Sequence, residues 1–161
     1  MRISSFLVRD KKIRRKIKSD PQRHLVYSME RNFLVGMCIN TSCKLDHLQA
    51  VASHACRKYQ VPQVKVSFYN DPKDECYGSS YADGRIVLNK GHHGANMGTL
   101  LHELAHHIDW NIEGFDEEDH GPTFMRYYID LMDRYKMLPA YAFEAICDHH
   151  GIKYLPAPPT I

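Results

Sequence analysis

The chain has 161 residues, of which 43% are hydrophobic and 25% charged, a composition ordinary for a single soluble domain with one hydrophobic core. No apolar run is long enough to span a membrane, and the N-terminus lacks the apolar segment of a secretory signal. Both observations predict an intracellular, cytoplasmic protein. An odd number of cysteines without a CxxC pair predicts reduced thiols rather than a disulfide framework or a zinc ribbon.

The first 23 residues are strongly basic. They hold nine Lys or Arg residues against two Asp residues, a net charge of +7, whereas the rest of the chain carries −5. We therefore divide the chain into a basic N-terminal arm over residues 1–23 and a single domain over residues 24–161. Such an arm can contact nucleic-acid phosphates, but it can equally stay solvated or fold back on the acidic loop between residues 113 and 119.

The segment between the arm and residue 90 predicts two helices and three strands. Arg23–Phe33 suits either a helix or a strand, with a helix favoured, and Ser42–Tyr59 has the apolar spacing of a helix. Val64–Phe68 alternates apolar and polar residues, as a half-buried strand does. Cys76–Tyr81 and Arg85–Leu88 are joined by an Asp-Gly turn and predict a β-hairpin.

Residues Met97–Trp110 predict a helix that carries an H-E-x-x-H motif, with Asn96 as its N-cap. The apolar residues cluster on one side of this helix, and His102 and His106 fall on the other side, which we expect to face a cleft. Residues four apart lie above one another on a helix, so the two imidazoles can bind one Zn²⁺. Glu103 can then reach a water on the same metal as a general base.

A catalytic zinc usually has three protein ligands, so the motif needs a third. The metzincin pattern is excluded because Ile112 stands where its third histidine would be. His120 is favoured, since the Gly-Pro pair that follows it predicts the start of a second helix whose apolar spacing runs over Phe124–Tyr135. The acidic loop between residues 113 and 119 offers rival carboxylate ligands.

The other histidines are weaker candidates for metal binding. His107 points about 100° away from His106 on the same helix and is interpreted as a flanking surface residue or a support for the site. His92 and His93 lie next to glycines and are interpreted as loop residues.

A last helix is predicted from Pro139 to about His149, with Gly151 as its stop and an extended tail after it. Cys147 with His149 and His150 could form a second metal site, but adjacent histidines on a helix diverge, so this site is not favoured. The order helix, strand, hairpin, helix, helix predicts an α+β fold.

The H-E-x-x-H motif at His102 and the His-Gly-Pro-x-Phe element at His120 together resemble the SprT-like/Spartan metalloproteases. The segment Ser80–Asn89, a turn followed by an I-x-L-N strand, is also similar to the region before the motif in that family. The resemblance covers roughly residues 45–135 and is closer to the small members from bacteriophages and bacteria than to the long eukaryotic ones. Many members carry a C-terminal zinc ribbon or another DNA-binding appendage, and this chain has no CxxC counterpart.

The resemblance implies a small zincin-like metalloprotease domain, with a mixed sheet packed on helices and an edge strand over the active-site helix. It implies that Arg85–Leu88 is this edge strand, whose unpaired backbone groups bind an extended peptide by strand addition. It also implies that Zn²⁺ is bound by the three histidines of the two motifs, His102, His106 and His120.

The sequence thus predicts a zinc metalloprotease with Glu103 as the catalytic base and a protein or peptide as its substrate. Either Tyr127 or Tyr128 could donate a hydrogen bond to the oxyanion, although at helical spacing both suit a structural role better. Two alternatives stay open: a non-catalytic, zinc-containing protein that binds nucleic acid or acts as an adaptor, and a metal-dependent hydrolase that cleaves another kind of bond. No membrane partner is expected, and the oligomeric state is not predicted.

Overall fold

The computed structural model of the chain describes residues 20–34, 41–115 and 118–158. Residues 1–19, most of the predicted basic arm, lie outside the described residues, as do residues 35–40, 116–117 and 159–161. In the described ranges, five α-helices and a three-stranded sheet form an α+β fold, which confirms the predicted class. No helix in these ranges combines the length and the apolar composition needed to cross a membrane.

The helices match the segments predicted from apolar spacing, within a few residues at each end. The segment Arg23–Phe33, for which the sequence allowed either a helix or a strand, begins as an α-helix and continues as a π-helical turn over Glu30–Leu34. The α-helices are α1 (Arg23–Met29), α2 (Leu45–Lys58), α3 (Met97–Ile112), α4 (Pro122–Arg134) and α5 (Ala140–His150).

Three predicted helix ends are confirmed. The side chain of Asn96 accepts a hydrogen bond from the Thr99 N–H at 2.9 Å and caps α3. Gly121 is the N-cap of α4, and Pro122 occupies the first turn, where its missing N–H costs no helical hydrogen bond. Gly151 ends α5 with φ of 68°, in the left-handed region that glycine adopts without strain.

The sheet is mixed. Its strands are β1 (Lys65–Tyr69), β2 (Gly78–Ser80) and β3 (Arg85–Asn89), in the spatial order β1-β3-β2. β2 and β3 pair antiparallel, with Gly78 opposite Leu88, which confirms the predicted hairpin. β1 lies parallel to β3, with Lys65 opposite Arg85.

The prediction that Arg85–Leu88 is the edge strand is wrong. β3 has a hydrogen-bonded neighbour on each side, because residues 70–77 carry the chain from β1 across to the far side of β3. The edge strand that packs on α3 is β2. Gly78 approaches α3 so closely that an added Cβ would lie 2.9 Å from Cγ2 of Thr99, so no larger residue fits there without displacement.

The opposite edge of the sheet is partly covered by a side chain from α2. Oε1 of Gln49 accepts a hydrogen bond from the Val66 N–H at 2.8 Å, and Nε2 donates to the Val64 carbonyl at 3.0 Å. These two hydrogen bonds take the place of backbone hydrogen bonds that a neighbouring strand would make. The β1 edge therefore has fewer free backbone groups for pairing with another extended chain.

Helix α3 runs through the centre of the fold. Every residue from Leu101 to Trp110 is buried, so the expected cleft face of this helix is in fact covered. The sheet and α2 pack on its apolar side, whereas α4 packs along the side of the histidines. The side chains that are fully buried in this core, each contributing about 1.5–3 kcal/mol by burial, include Leu48, Ile86, Leu88, Leu100, Leu104, Ile108 and Phe124.

Asn89, the last residue of β3, fastens the preceding loop to the sheet. Its buried side chain makes five contacts at hydrogen-bond distance, and in two of them Oδ1 accepts from the N–H groups of Asp71 and Gly91. Its Nδ2 donates to the carbonyls of Asp71, Asp74 and Cys76 at 2.8, 3.0 and 3.1 Å. This amide, together with the Tyr69 hydroxyl that bonds Asp74 and Cys76, therefore holds the loop that leads into the edge strand β2.

Candidate metal centre

Three histidines converge in the interior of the protein. His102 and His106 lie one turn apart on α3, and His120 precedes the N-cap of α4. Nε2 of His102 lies 3.2 Å from Nε2 of His106 and 3.4 Å from Nε2 of His120. His106 and His120 are fully buried, and His102 keeps 7% of its surface exposed. The structure thus brings together the three ligands that the sequence predicted, in a group that can hold a metal ion.

Nε2 of His102 lies at a distance from each of the other two Nε2 atoms that is compatible with a shared metal ion. Metal–nitrogen bonds of 2.0–2.1 Å at tetrahedral angles separate two ligand nitrogens by about 3.3–3.4 Å. The observed distances of 3.2 and 3.4 Å agree with this value. Neutral imidazoles that direct lone pairs at one another without a shared proton repel each other, and a cation between them removes that repulsion.

Two carboxylates contact the Nδ1 atoms of two of these histidines, on the side of each ring that faces away from the other histidines. Nδ1 of His102 lies 2.5 Å from Oε1 of Glu30, and Nδ1 of His120 lies 2.7 Å from Oδ2 of Asp20. Oδ1 of Asp20 also accepts a hydrogen bond from the His120 backbone N–H at 3.2 Å. Neither carboxylate is predicted as part of the site from the sequence, and Asp20 belongs to the predicted basic arm. No motif or local spacing links them to the histidines, from which they are separated by 72 and 100 positions.

The charges of these groups depend on one another. Burial by itself raises the pKa of Glu30, but the neighbouring His102 outweighs burial and leaves the pKa lowered. Burial likewise opposes charge on His102, yet Glu30 raises its pKa above the ordinary value. The pKa values of His106 and His120 are lowered, mainly by burial. His106 and His120 therefore favour the neutral form, which is the form that binds metals.

Glu103 follows His102 on α3, is almost fully buried, and lies close enough to His102 for each side chain to shift the pKa of the other. Its carboxylate accepts a hydrogen bond from the Ser80 backbone N–H, and burial raises its pKa to about 7. No residue in the described part of the chain pairs with its Oε2. The close packing of β2 on Glu103 depends on Gly78, because a Cβ at residue 78 would lie 3.3 Å from Cγ of Glu103. A carboxyl group with a pKa near 7 can both take up and return a proton at neutral pH.

The tyrosines that the sequence offered as oxyanion donors have carboxylate partners instead. The Tyr128 hydroxyl donates to Oε1 of Glu30 at 3.0 Å, and the Tyr127 hydroxyl donates to Oε1 of Glu113 at 2.7 Å. Tyr128 thus supports the carboxylate that contacts His102. A different tyrosine, Tyr27, also contacts the group, with its ring stacked on His102 at 6.1 Å and edge-on to His120 at 5.0 Å between centroids.

The remaining candidates lie outside the group. His107 is buried rather than on the surface, as one interpretation had it, and its Nε2 contacts the Pro62 carbonyl at 2.8 Å. His92 lies in a short 3₁₀ turn and His93 follows it in the left-handed region, as expected of loop residues. In the ranges that the structure describes, neither Cys147 nor a carboxylate of the acidic loop belongs to a three-residue metal group.

No protein-family model, curated protein or solved structure matches the chain. Its function is therefore inferred from its own side chains. The buried group offers three imidazole nitrogens to a divalent metal, and a tetrahedral metal held by three protein ligands would have a fourth position for a water or a substrate. With the buried carboxyl group of Glu103 next to His102 in the chain, these residues suit metal-assisted hydrolysis.

Proposed function

We propose that the chain is a zinc-dependent metallopeptidase of the SprT-like, zincin type, which hydrolyses peptide bonds inside the cell. The observation that carries the proposal is the buried group of His102, His106 and His120 with Glu103 beside it. Three imidazoles are a common ligand set of catalytic zinc, and a structural zinc would normally have a fourth protein ligand. A structural site also has no need of the buried Glu103 carboxyl group, whose Oε2 has no partner among the described residues.

The proposed mechanism assigns one task to each group. Zinc, when bound, supplies a Lewis acid that polarises the scissile carbonyl and acidifies the attacking water. His102, His106 and His120 hold it. Glu103 takes the proton of the water as it attacks and returns that proton to the departing amine. The hydrogen bond that the Glu103 carboxylate accepts from the Ser80 N–H holds the carboxylate in position during these proton transfers.

We assign substrate binding to the edge strand β2 rather than to the strand that the resemblance implied. The Tyr77 carbonyl and the Tyr81 N–H bond to β3, so the backbone groups of the alternate residues Gly78 and Ser80 face the outer edge. The hydrogen bond from Ser80 to Glu103 brings this edge next to the proposed base. The residues of β2 are buried, so a peptide would first have to gain access to this edge, and it would then lie close to Glu103.

The proposal is tested first by metal content, measured by elemental analysis of protein purified without a histidine tag. We expect about one zinc per wild-type chain, loss of that zinc in His120→Ala, and its retention in the matched control His149→Ala, whose histidine is exposed. Wild-type protein that folds but neither contains nor takes up zinc would contradict the proposal.

Activity is tested on unfolded protein substrates, with and without single-stranded DNA. Glu103→Gln should keep the zinc but lose hydrolysis by a factor of about 10²–10⁴, the usual contribution of a general base. Cleavage by Glu103→Gln at the wild-type rate would refute the mechanism. Zinc binding without any hydrolysis would favour the non-catalytic adaptor, whose contact with nucleic acid would depend on the net charge of +7 in residues 1–23.

A further inference from the structure

The two carboxylates behind the histidines come from one short segment that lies outside both motifs. Asp20 immediately precedes the turn into α1, and Glu30 begins the π-helical turn that follows α1. Asp20 contacts His120, and Glu30 contacts His102. One segment therefore holds ligands that come from two different elements, α3 and the loop before α4.

These contacts determine how each imidazole faces the centre. A histidine whose Nδ1–H donates to a carboxylate has its lone pair on Nε2, the nitrogen that faces the other histidines here. Both carboxylates also place negative charge close to the proposed dication. His106 differs: no described residue pairs with its Nδ1, and its ring is stacked on Trp110 at 5.4 Å.

We propose that Asp20 and Glu30 are positioning residues that orient His120 and His102 for the metal and raise its affinity. The inference rests on the metal of the proposed function, but not on peptide hydrolysis. Tyr128 takes part through Glu30, because its hydroxyl donates to the same carboxylate oxygen that contacts His102. The metal centre therefore includes two residues that the motif does not encode.

The test is the zinc affinity of the full chain, measured by competition with a chromophoric chelator. Glu30→Ala and Asp20→Ala should each raise the dissociation constant by about 10–100-fold, the usual effect of removing a carboxylate behind a metal-bound histidine. Glu30→Gln should retain part of the affinity, because an amide oxygen can still accept the Nδ1–H of His102. This partial rescue would not be expected of a residue that only fills space.

Matched controls are available for both carboxylates. Glu113 also accepts a hydrogen bond from a tyrosine, Tyr127, but it has no contact with the histidines, so Glu113→Gln should leave the affinity unchanged. Asp148, which accepts from the Tyr154 hydroxyl, is the matched control for Asp20 as Asp148→Asn. Circular dichroism and urea unfolding of the metal-free proteins identify any variant that loses its fold.

A second readout is the visible spectrum of the Co²⁺-substituted protein, which reports the geometry of the ligands without any turnover. We expect Glu30→Ala and Asp20→Ala to alter this spectrum and Glu113→Gln to leave it as in the wild type. Folded alanine variants with wild-type affinity and spectrum would overturn the inference and leave the proposed peptidase standing. Weakened binding in a chain that hydrolyses nothing would support the inference and refute the peptidase.

Discussion

The most demanding prediction concerns Asn89, whose amide holds residues 71–76 against the sheet. Asn89→Ala removes a fully buried amide that contacts five backbone groups. Because the NH₂ group has two hydrogens and Oδ1 accepts two bonds, the amide makes up to four full hydrogen bonds, which at about 0.5–1.5 kcal/mol each total roughly 2–6 kcal/mol. The loop partners can regain water once the amide is gone, so we expect the lower end, about 2–3 kcal/mol.

The measurement is the free energy of unfolding from urea titration. Asn70→Ala serves as the control, because Asn70 is exposed and adjacent to the same loop, and its loss should stay within about 0.5 kcal/mol. Asn89→Asp is the sharper variant. It keeps the acceptor but turns the three donor contacts into contacts between a carboxylate and carbonyl oxygens, so it should destabilise at least as much as alanine at neutral pH. A loss below about 1 kcal/mol in Asn89→Ala, or an Asn89→Asp variant as stable as the wild type, would refute the reasoning.

Three further predictions concern the surroundings of the metal group. Gly78→Ala should cost about 1–3 kcal/mol in urea unfolding, because the added methyl would lie 2.9 Å from Thr99 and 3.0 Å from Leu88, and an unchanged midpoint would contradict the close packing of β2 on α3. Gln22→Ala should cost about 1–3 kcal/mol by the same measurement, because the buried amide of Gln22 bonds the His120 carbonyl and the backbone of Lys153. An unchanged stability would show that these bonds are dispensable. Free zinc at about 100 times its dissociation constant should add about 2.7 kcal/mol to the stability. This gain should appear as a higher melting temperature and be absent in His120→Ala.

The features predicted correctly from the sequence are those that local rules determine. The spacing of His102 and His106 places both on adjacent turns whatever surrounds the helix. The Gly-Pro pair after His120 marks a helix start because proline suits the first turn. The hairpin follows from its Asp-Gly turn. Each of these signals acts within a few residues of the chain.

The features that sequence analysis missed are set by packing between distant segments. Nothing near Asp20 or Glu30 indicates that they face histidines some 72 to 100 positions away. Whether β3 is an edge strand or the central strand depends on the edge of the hairpin at which β1 pairs. The alternation of apolar and polar residues indicates which face of a strand is buried, but it does not indicate which edge has a neighbour. The sequence suggested that His107 flanks the site as a polar residue. In the structure it is buried, because the Pro62 carbonyl in the connection between α2 and β1 provides a hydrogen-bond partner for its ring.

The amide of Gln22 has a consequence for the order in which the protein matures. It joins three parts of the chain, since it bonds residues that lie 98 and 131 positions away. Contacts of such separation cost loop entropy and form late in folding. The helix with His102 and His106, and the His120 that follows it, are synthesised before Lys153, so the full set of contacts around Gln22 forms only when all of these parts of the chain are available.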